Sequence, residues 1–127
     1  MDYQNFIREV NRLGFIRANP VKADAGVKAV LGILASMMEE PDARQLTERL
    51  PEPLTFEKLY GHQANIKRIS ADQYIEEIRE QLNLKSDEAR EFIRTVLHIT
   101  REMLGNGLLI ELGKKLPSDW KEIILSS

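Results

Sequence analysis

The residue types that most often bind metals or carry out catalysis are few in this 127-residue chain and widely spaced. Only two histidines are present, His62 and His98, and neither forms a His-x3-His or Glu-x2-His pair of the kind that binds zinc on a helix. There is no cysteine, which excludes disulfide bonds, thiolate metal sites and a cysteine nucleophile. We therefore expect no metal site, and we interpret His98 as a solvated residue on the polar face of a helix.

Carboxylates for general acid–base work occur mainly as adjacent pairs, namely Glu39-Glu40, Glu76-Glu77 and Asp87-Glu88. Neighbouring residues on a helix point about 100° apart, so such pairs rarely converge on one substrate. Glu76 and Glu80 do share a face, but Arg79 lies beside them and a solvated helix face explains the whole group. We therefore expect no catalytic residue among the carboxylates.

Two further segments contain residues that could hold an anion. The glycine-containing stretch LGNGLL (104–109) lacks the G-x-G-x-x-G spacing of a phosphate-binding loop and is interpreted as a helix stop. A small polar cluster, Tyr60, His62, Lys67 and Arg68, could form an anion-binding surface; the alternative is a solvated linker, since loops are commonly polar. This cluster is the candidate anion-binding surface, and no cofactor is expected.

The bulk composition is that of a soluble globular protein, 43% hydrophobic and 30% charged, with a net charge of −2. Residues 1–63 carry 8 basic and 9 acidic side chains, and residues 64–127 carry 10 and 11, so nucleic-acid binding is not expected. The longest uncharged run, residues 29–38, is about half of a membrane span, and the N-terminal residues lack a signal-peptide core. We expect a cytoplasmic protein with no membrane partner.

Apolar residues recur at helical spacing through the first half of the chain. The first predicted helix, capped by Asp2, carries Phe6, Val10 and Leu13. The second begins at Asn19-Pro20, a cap residue followed by proline at the first helical position, and a third begins at about Pro41-Asp42.

The second half repeats this order of signals. Ser70 and Gln73 have the spacing of a capping box, and Ser86 is expected to cap the next helix. The Gly105-Asn106-Gly107 stretch ends that helix, and a further short helix carries Leu108, Leu112 and Leu116.

The two halves also align directly, because residues 27–59 match residues 93–125 without a gap at eight identical positions. The shared Leu-x3-Leu-Pro pattern places Leu50-Pro51 over Leu116-Pro117, and we interpret each Leu-Pro as a break between two short helices. The predicted fold class is all-α, a compact helical bundle of two tandem pseudo-repeats with three to four helices each. Residues 1–127 form a single domain, with repeats at about 2–60 and 70–126 and a joining loop at about 61–69.

The three-helix order, the VL-x-I-x3-M core of the second helix and the L-x3-LP pattern together resemble the domain of unknown function 2267 family, a group of small, mostly bacterial proteins. The resemblance covers about residues 3–125, although 106–115 begins more apolar than expected. It implies an all-α fold, and it implies no activity, cofactor or catalytic residue.

The sequence therefore predicts a helical module without catalytic activity, whose role is protein–protein interaction or self-association. The candidate contact surfaces are the junction between the repeats and the apolar segment 103–110. The alternative is a small-ligand carrier or an enzyme with a pocket between the two repeats.

Overall fold

The computed structural model describes residues 2–16, 19–60 and 68–127, and every regular element in those ranges is a helix. The eight helices are α1 (Tyr3–Val10), α2 (Pro20–Met37), α3 (Glu40–Glu48), α4 (Phe56–Leu59), α5 (Ala71–Leu82), α6 (Ser86–Leu104), α7 (Leu108–Gly113) and α8 (Ser118–Ser126). The predicted all-α class is therefore confirmed.

The two longest helices, α2 and α6, lie at the centre of the bundle. α2 packs against α1, α3, α4, α5 and α6, and α6 packs against α1, α2, α5, α7 and α8. The second half of α2 is buried almost all round, which is what an apolar helix at the centre of a bundle requires. Gly26 allows the close approach of three helices, since a Cβ there would lie 2.5 Å from Phe92 on α6 and 2.8 Å from Leu82 on α5.

Three of the four predicted capping residues, Asp2, Asn19 and Ser70, lie at helix starts. The side chains of Asp2 and Asn19 accept hydrogen bonds from backbone N–H groups in the first turns of α1 and α2. Ser70 and Gln73 form the complete capping box at the start of α5. Ser86 is a correction: it is the first residue of α6, and the cap position is Lys85, whose backbone N–H donates to Glu88 at 2.9 Å.

Two predicted helix ends were also wrong. α1 ends at Val10, so Leu13 lies in the following turn, where the N–H groups of residues 12 and 13 bond to carbonyls only three residues back. α7 ends at Gly113, so Leu116 lies between α7 and α8. Both leucines keep apolar contacts although they are outside helices, and Leu116 is buried.

Each Leu-Pro pair separates two helices, as predicted. Leu50 and Leu116 are buried, and so are the apolar residues that follow, Leu54 and Trp120. The second linker is shorter, because α8 begins directly after Pro117, whereas Pro51 and Pro53 both precede α4. A second proline removes another N–H donor and disfavours helix in the residue before it, which delays the start of α4.

The C-terminal helix α8 is fastened to the start of α5 by two neighbouring residues. The Asp119 carboxylate accepts a hydrogen bond from the Ala71 N–H at 2.8 Å, capping α5 from outside. The fully buried Trp120 ring stacks on Tyr74 at 4.3 Å, and its indole N–H donates to the Ile69 carbonyl at 2.9 Å. These contacts fix α8 against α5.

Candidate functional site

Of the predicted surface cluster, Tyr60 and Arg68 belong to the described residues, while His62 and Lys67 lie outside them. The Tyr60 hydroxyl donates to the Met38 carbonyl at 3.4 Å, and its ring stacks on Phe56 at 4.8 Å. Arg68 is exposed and lines a cavity that Met38 also lines. The structure therefore brings Tyr60 and Arg68 to the same neighbourhood, the corner between α2 and α3, and anion binding there stays a prediction.

That cavity, which we call the junction cavity, lies between the α2–α3 corner and the α7–α8 corner and has a volume of about 380 Å³. Its lining residues are Met37, Met38, Glu39, Asp42, Arg68, Leu112, Lys115 and Leu116. The floor is apolar, and the charged groups are two acids and two bases. Such a lining can orient a small polar molecule by hydrogen bonds while its apolar part contacts the methionines.

Asp42 is the most informative polar group in the junction cavity, because it is only 8% exposed. It lies in the first turn of α3, where the helix dipole favours a negative charge. Its carboxylate is 3.2 Å from the ammonium group of Lys115, whose side chain is otherwise largely in solvent. Asp42 is thus a paired charge that links α3 to the α7–α8 corner, and its burial was not foreseen from the sequence.

A second cross-link runs nearby from Arg49, at the end of α3. Its guanidinium donates to the carbonyl of Leu104 at 2.7 Å, at the C-terminal end of α6. Carbonyls at a helix C-terminus have no partner within the helix, and a cation there also favours the dipole. Arg49 and Lys115 therefore both bridge the first and second halves of the chain.

A different depression, the α7–α8 groove, is lined by Ile110, Gly113, Lys114, Lys121, Ile124 and Leu125 and has a volume of about 280 Å³. The surface inside it is apolar, with the two lysines at its rim. Leu125 is 61% exposed and is, with Val21, one of two large apolar side chains that are exposed among the described residues. The groove overlaps the predicted contact segment 103–110 only at Ile110, because Leu104 and Leu109 point into the core.

The remaining candidates for chemistry are dispersed. The ring nitrogen Nε2 of His98 lies 2.7 Å from the Glu102 carboxylate, with both side chains more than half exposed, as expected for a polar helix face. Glu76 is exposed, and its hydrogen bond from Arg79 lowers the pKa of the Glu76 carboxyl. Within the described ranges, no group of three or more histidine, aspartate or glutamate side chains could hold a metal ion.

Two tyrosines, the half-buried Tyr3 and the buried Tyr74, have phenols with perturbed pKa values. Burial raises the pKa of Tyr3, and the hydrogen bond that its hydroxyl donates to Asp24 raises it further. Burial likewise raises the pKa of Tyr74, whose hydroxyl donates to the Val30 carbonyl at 2.8 Å. Each phenol fastens one helix to α2 through its hydrogen bond. We therefore assign both to stability rather than catalysis.

Comparison with known proteins gives one match. The sequence profile of a family described as "Uncharacterized conserved protein (DUF2267)" matches residues 3–123, which confirms the resemblance stated above. Neither the curated proteins nor the solved structures provide a significant match. Among residues 2–16, 19–60 and 68–127, no helix is both long enough and apolar enough to cross a bilayer.

Proposed function

The chain belongs to the DUF2267 family of uncharacterized conserved proteins, and we propose that it is a helical module without catalytic activity that binds another protein or a second copy of itself. The observation that carries this proposal is the α7–α8 groove, where Leu125 is 61% exposed beside an apolar floor. An apolar opening of this kind, rimmed by charged residues, is typical of a protein contact site.

We also propose that the chain is one domain made of two tandem repeats, residues 2–60 and 70–126, joined through 61–69. The helix contacts support this, since α1 packs on α6 as α5 packs on α2, and α2 and α3 pack on their own counterparts, α6 and α7. The cross-links support it too, because Arg49 and Lys115 are 66 positions apart and each reaches into the other repeat.

The repeat relation makes the α7–α8 groove more informative. The corresponding depression in the first repeat is lined by Arg44, Thr47, Glu48, Leu50, Thr55, Phe56 and Glu57. There the Arg44 guanidinium covers the Phe56 ring at 4.0 Å, so a charged side chain shields the apolar surface. The helices around both depressions are arranged alike, yet the depression in the first repeat is lined mainly by polar residues. The fold therefore does not require an apolar groove in the second repeat.

The repeats differ most clearly at their last apolar position. The alignment pairs Leu59 with Leu125, yet Leu59 is buried and Leu125 is exposed. Burying a leucine contributes about 1.5–3 kcal/mol, so leaving Leu125 in solvent sacrifices stability unless a partner covers it.

Light scattering after gel filtration over a range of concentrations, together with affinity capture from the native cell, tests the interaction function. The Leu125→Asp variant is expected to lose the contact. The matched control is Val21→Asp, since Val21 is 76% exposed on α2 and does not line the groove. The proposal would be contradicted if the protein stays monomeric at every concentration and captures no partner whose binding depends on Leu125.

The junction cavity favours a second candidate function, a small-ligand carrier or an enzyme with a pocket between the repeats. Its support is the nearly buried Asp42 carboxylate, paired with the exposed Lys115 beside a methionine-lined floor. A thermal-shift screen with metals, nucleotides and lipids tests it, because a ligand at about 100 times its Kd adds ~2.7 kcal/mol to stability. A hit that Asp42→Asn abolishes would favour the carrier, and a screen without hits would count against it.

A further inference from the structure

We infer that the α7–α8 groove binds a short amphipathic helix whose apolar face is flanked by acidic residues. This assignment rests on the proposed interaction function and adds the chemical class of the partner. Three properties of the groove lead to it: its size, the elements that form its walls, and the charge at its rim.

The size of the groove fits side chains from a partner rather than a complete small molecule. Pockets for small ligands usually have volumes of about 300–1,000 Å³ and enclose most of the ligand. The α7–α8 groove has about 280 Å³, is open to solvent, and offers no polar group inside to orient a ligand. It can accept a few apolar side chains from a surface that covers it.

The walls of the groove favour a helical partner. The two walls are helices, and Gly113 brings them together closely, since a Cβ at that position would lie 2.7 Å from Cδ1 of Ile124. The described residues contain no strand, so they offer no sheet edge to which an extended peptide could add. Apolar grooves between helices are filled by the apolar face of another helix, through anchors spaced three and four residues apart.

The rim of the groove selects the sign of the partner's charge. The ammonium group of Lys121 has neither an ion pair nor a hydrogen bond to any other described residue. Lys114 contacts Glu111 at 2.9 Å, but both side chains are more than 60% exposed, and such pairs exchange partners at little cost. An acidic residue beside the apolar anchors would therefore meet two ammonium groups.

A selection from a displayed library of helical peptides tests this inference. The library fixes leucines along one face and varies the flanking positions among acidic, basic and neutral residues, with the full chain as bait. We expect the enriched peptides to be acidic at those positions, and fluorescence anisotropy to show binding that weakens as salt rises. The double variant Lys114→Glu/Lys121→Glu should bind the best acidic peptide about tenfold more weakly, because two attractions become repulsions worth a few-fold each.

The controls separate the partner's chemistry from the interaction function itself. Leu125→Asp should abolish binding of every enriched peptide, and Val21→Asp should leave binding unchanged. Three outcomes would each overturn the inference. The enriched peptides could be neutral or basic, or the selection could enrich no peptide at all. The protein could also bind no peptide and instead self-associate through a contact that Leu125→Asp removes. If the selection fails but Leu125-dependent capture from cells succeeds, the interaction function stands and only the proposed partner is wrong.

Discussion

Replacing Gly26 with alanine tests the closest approach of helices in the bundle. A Cβ at Gly26 would lie 2.5 and 2.7 Å from two atoms of the Phe92 ring and 2.8 Å from a methyl carbon of Leu82. These distances are shorter than real contacts allow, and both side chains are buried, so neither can turn into solvent. The substitution therefore adds a methyl group to a filled part of the core.

Two opposing effects determine the size of the change. Alanine in place of glycine within a helix favours folding by about 1 kcal/mol. Overpacking a filled core costs about 1–3 kcal/mol, and three short contacts with two side chains place Gly26 at the upper end. The free energy of unfolding should therefore fall by about 2 kcal/mol, which corresponds to about 1 M in the urea midpoint for a typical slope of about 2 kcal/mol per M.

Urea unfolding followed by far-UV circular dichroism measures this change. Gly113→Ala is the matched control, because only the flexible end of one side chain, Cδ1 of Ile124, lies within 3 Å of its added Cβ. We expect Gly113→Ala to change stability by less than about 1 kcal/mol. Adding Phe92→Leu to Gly26→Ala should recover part of the loss, since neighbouring substitutions couple. A Gly26→Ala protein more stable than the parent would refute the reasoning.

Three further predictions concern buried or partly buried side chains. Leu50→Ala and Leu116→Ala should each lower the free energy of unfolding by ~2–5 kcal/mol in urea titrations, as for other buried leucines, and near-neutral results would contradict the role given to the Leu-Pro breaks. Trp120→Phe keeps an aromatic ring but loses the hydrogen bond to Ile69, so stability should fall by at least about 1 kcal/mol, with an unchanged midpoint as the contrary outcome. Raising the pH above about 10 should destabilise the protein, because the unfolded chain releases the Tyr3 proton there while the folded chain, with its raised pKa, keeps it. When the free energy of unfolding is measured against pH for both proteins, Tyr3→Phe should lose less stability above pH 10 than the parent. Identical curves would contradict the role given to the Tyr3 phenol.

The sequence predicted those parts of the fold that depend on neighbouring residues. Asp2, Asn19 and Ser70 were identified as caps because a cap bonds to the backbone two or three residues away. Ser86 was misplaced by one position, since Lys85 and Glu88 supply the start of α6 instead. Element ends depend on such small differences, whereas the apolar periodicity that predicts a helix extends over many residues.

The candidate sites depended on contacts that no local pattern contains. Asp42 and Lys115 are 73 positions apart, and nothing near Asp42 in the sequence indicates that it is buried. The α7–α8 groove was foreseen only through Ile110, at the end of the apolar segment 103–110. The exposure of Leu125 could not be predicted from the sequence. The spacing of Trp120, Ile124 and Leu125 does not indicate which of these three residues face the core.

The Trp120 stack gives the protein an optical reporter of its own. Trp120 is the only tryptophan among the 127 residues, and it lies between α8 and α5, wholly within the second half of the chain. Its fluorescence therefore follows the unpacking of that half, whereas circular dichroism averages over every helix. Coincident transitions in the two signals would mean that both halves unfold as one cooperative unit, and an earlier or later fluorescence change would reveal that they separate.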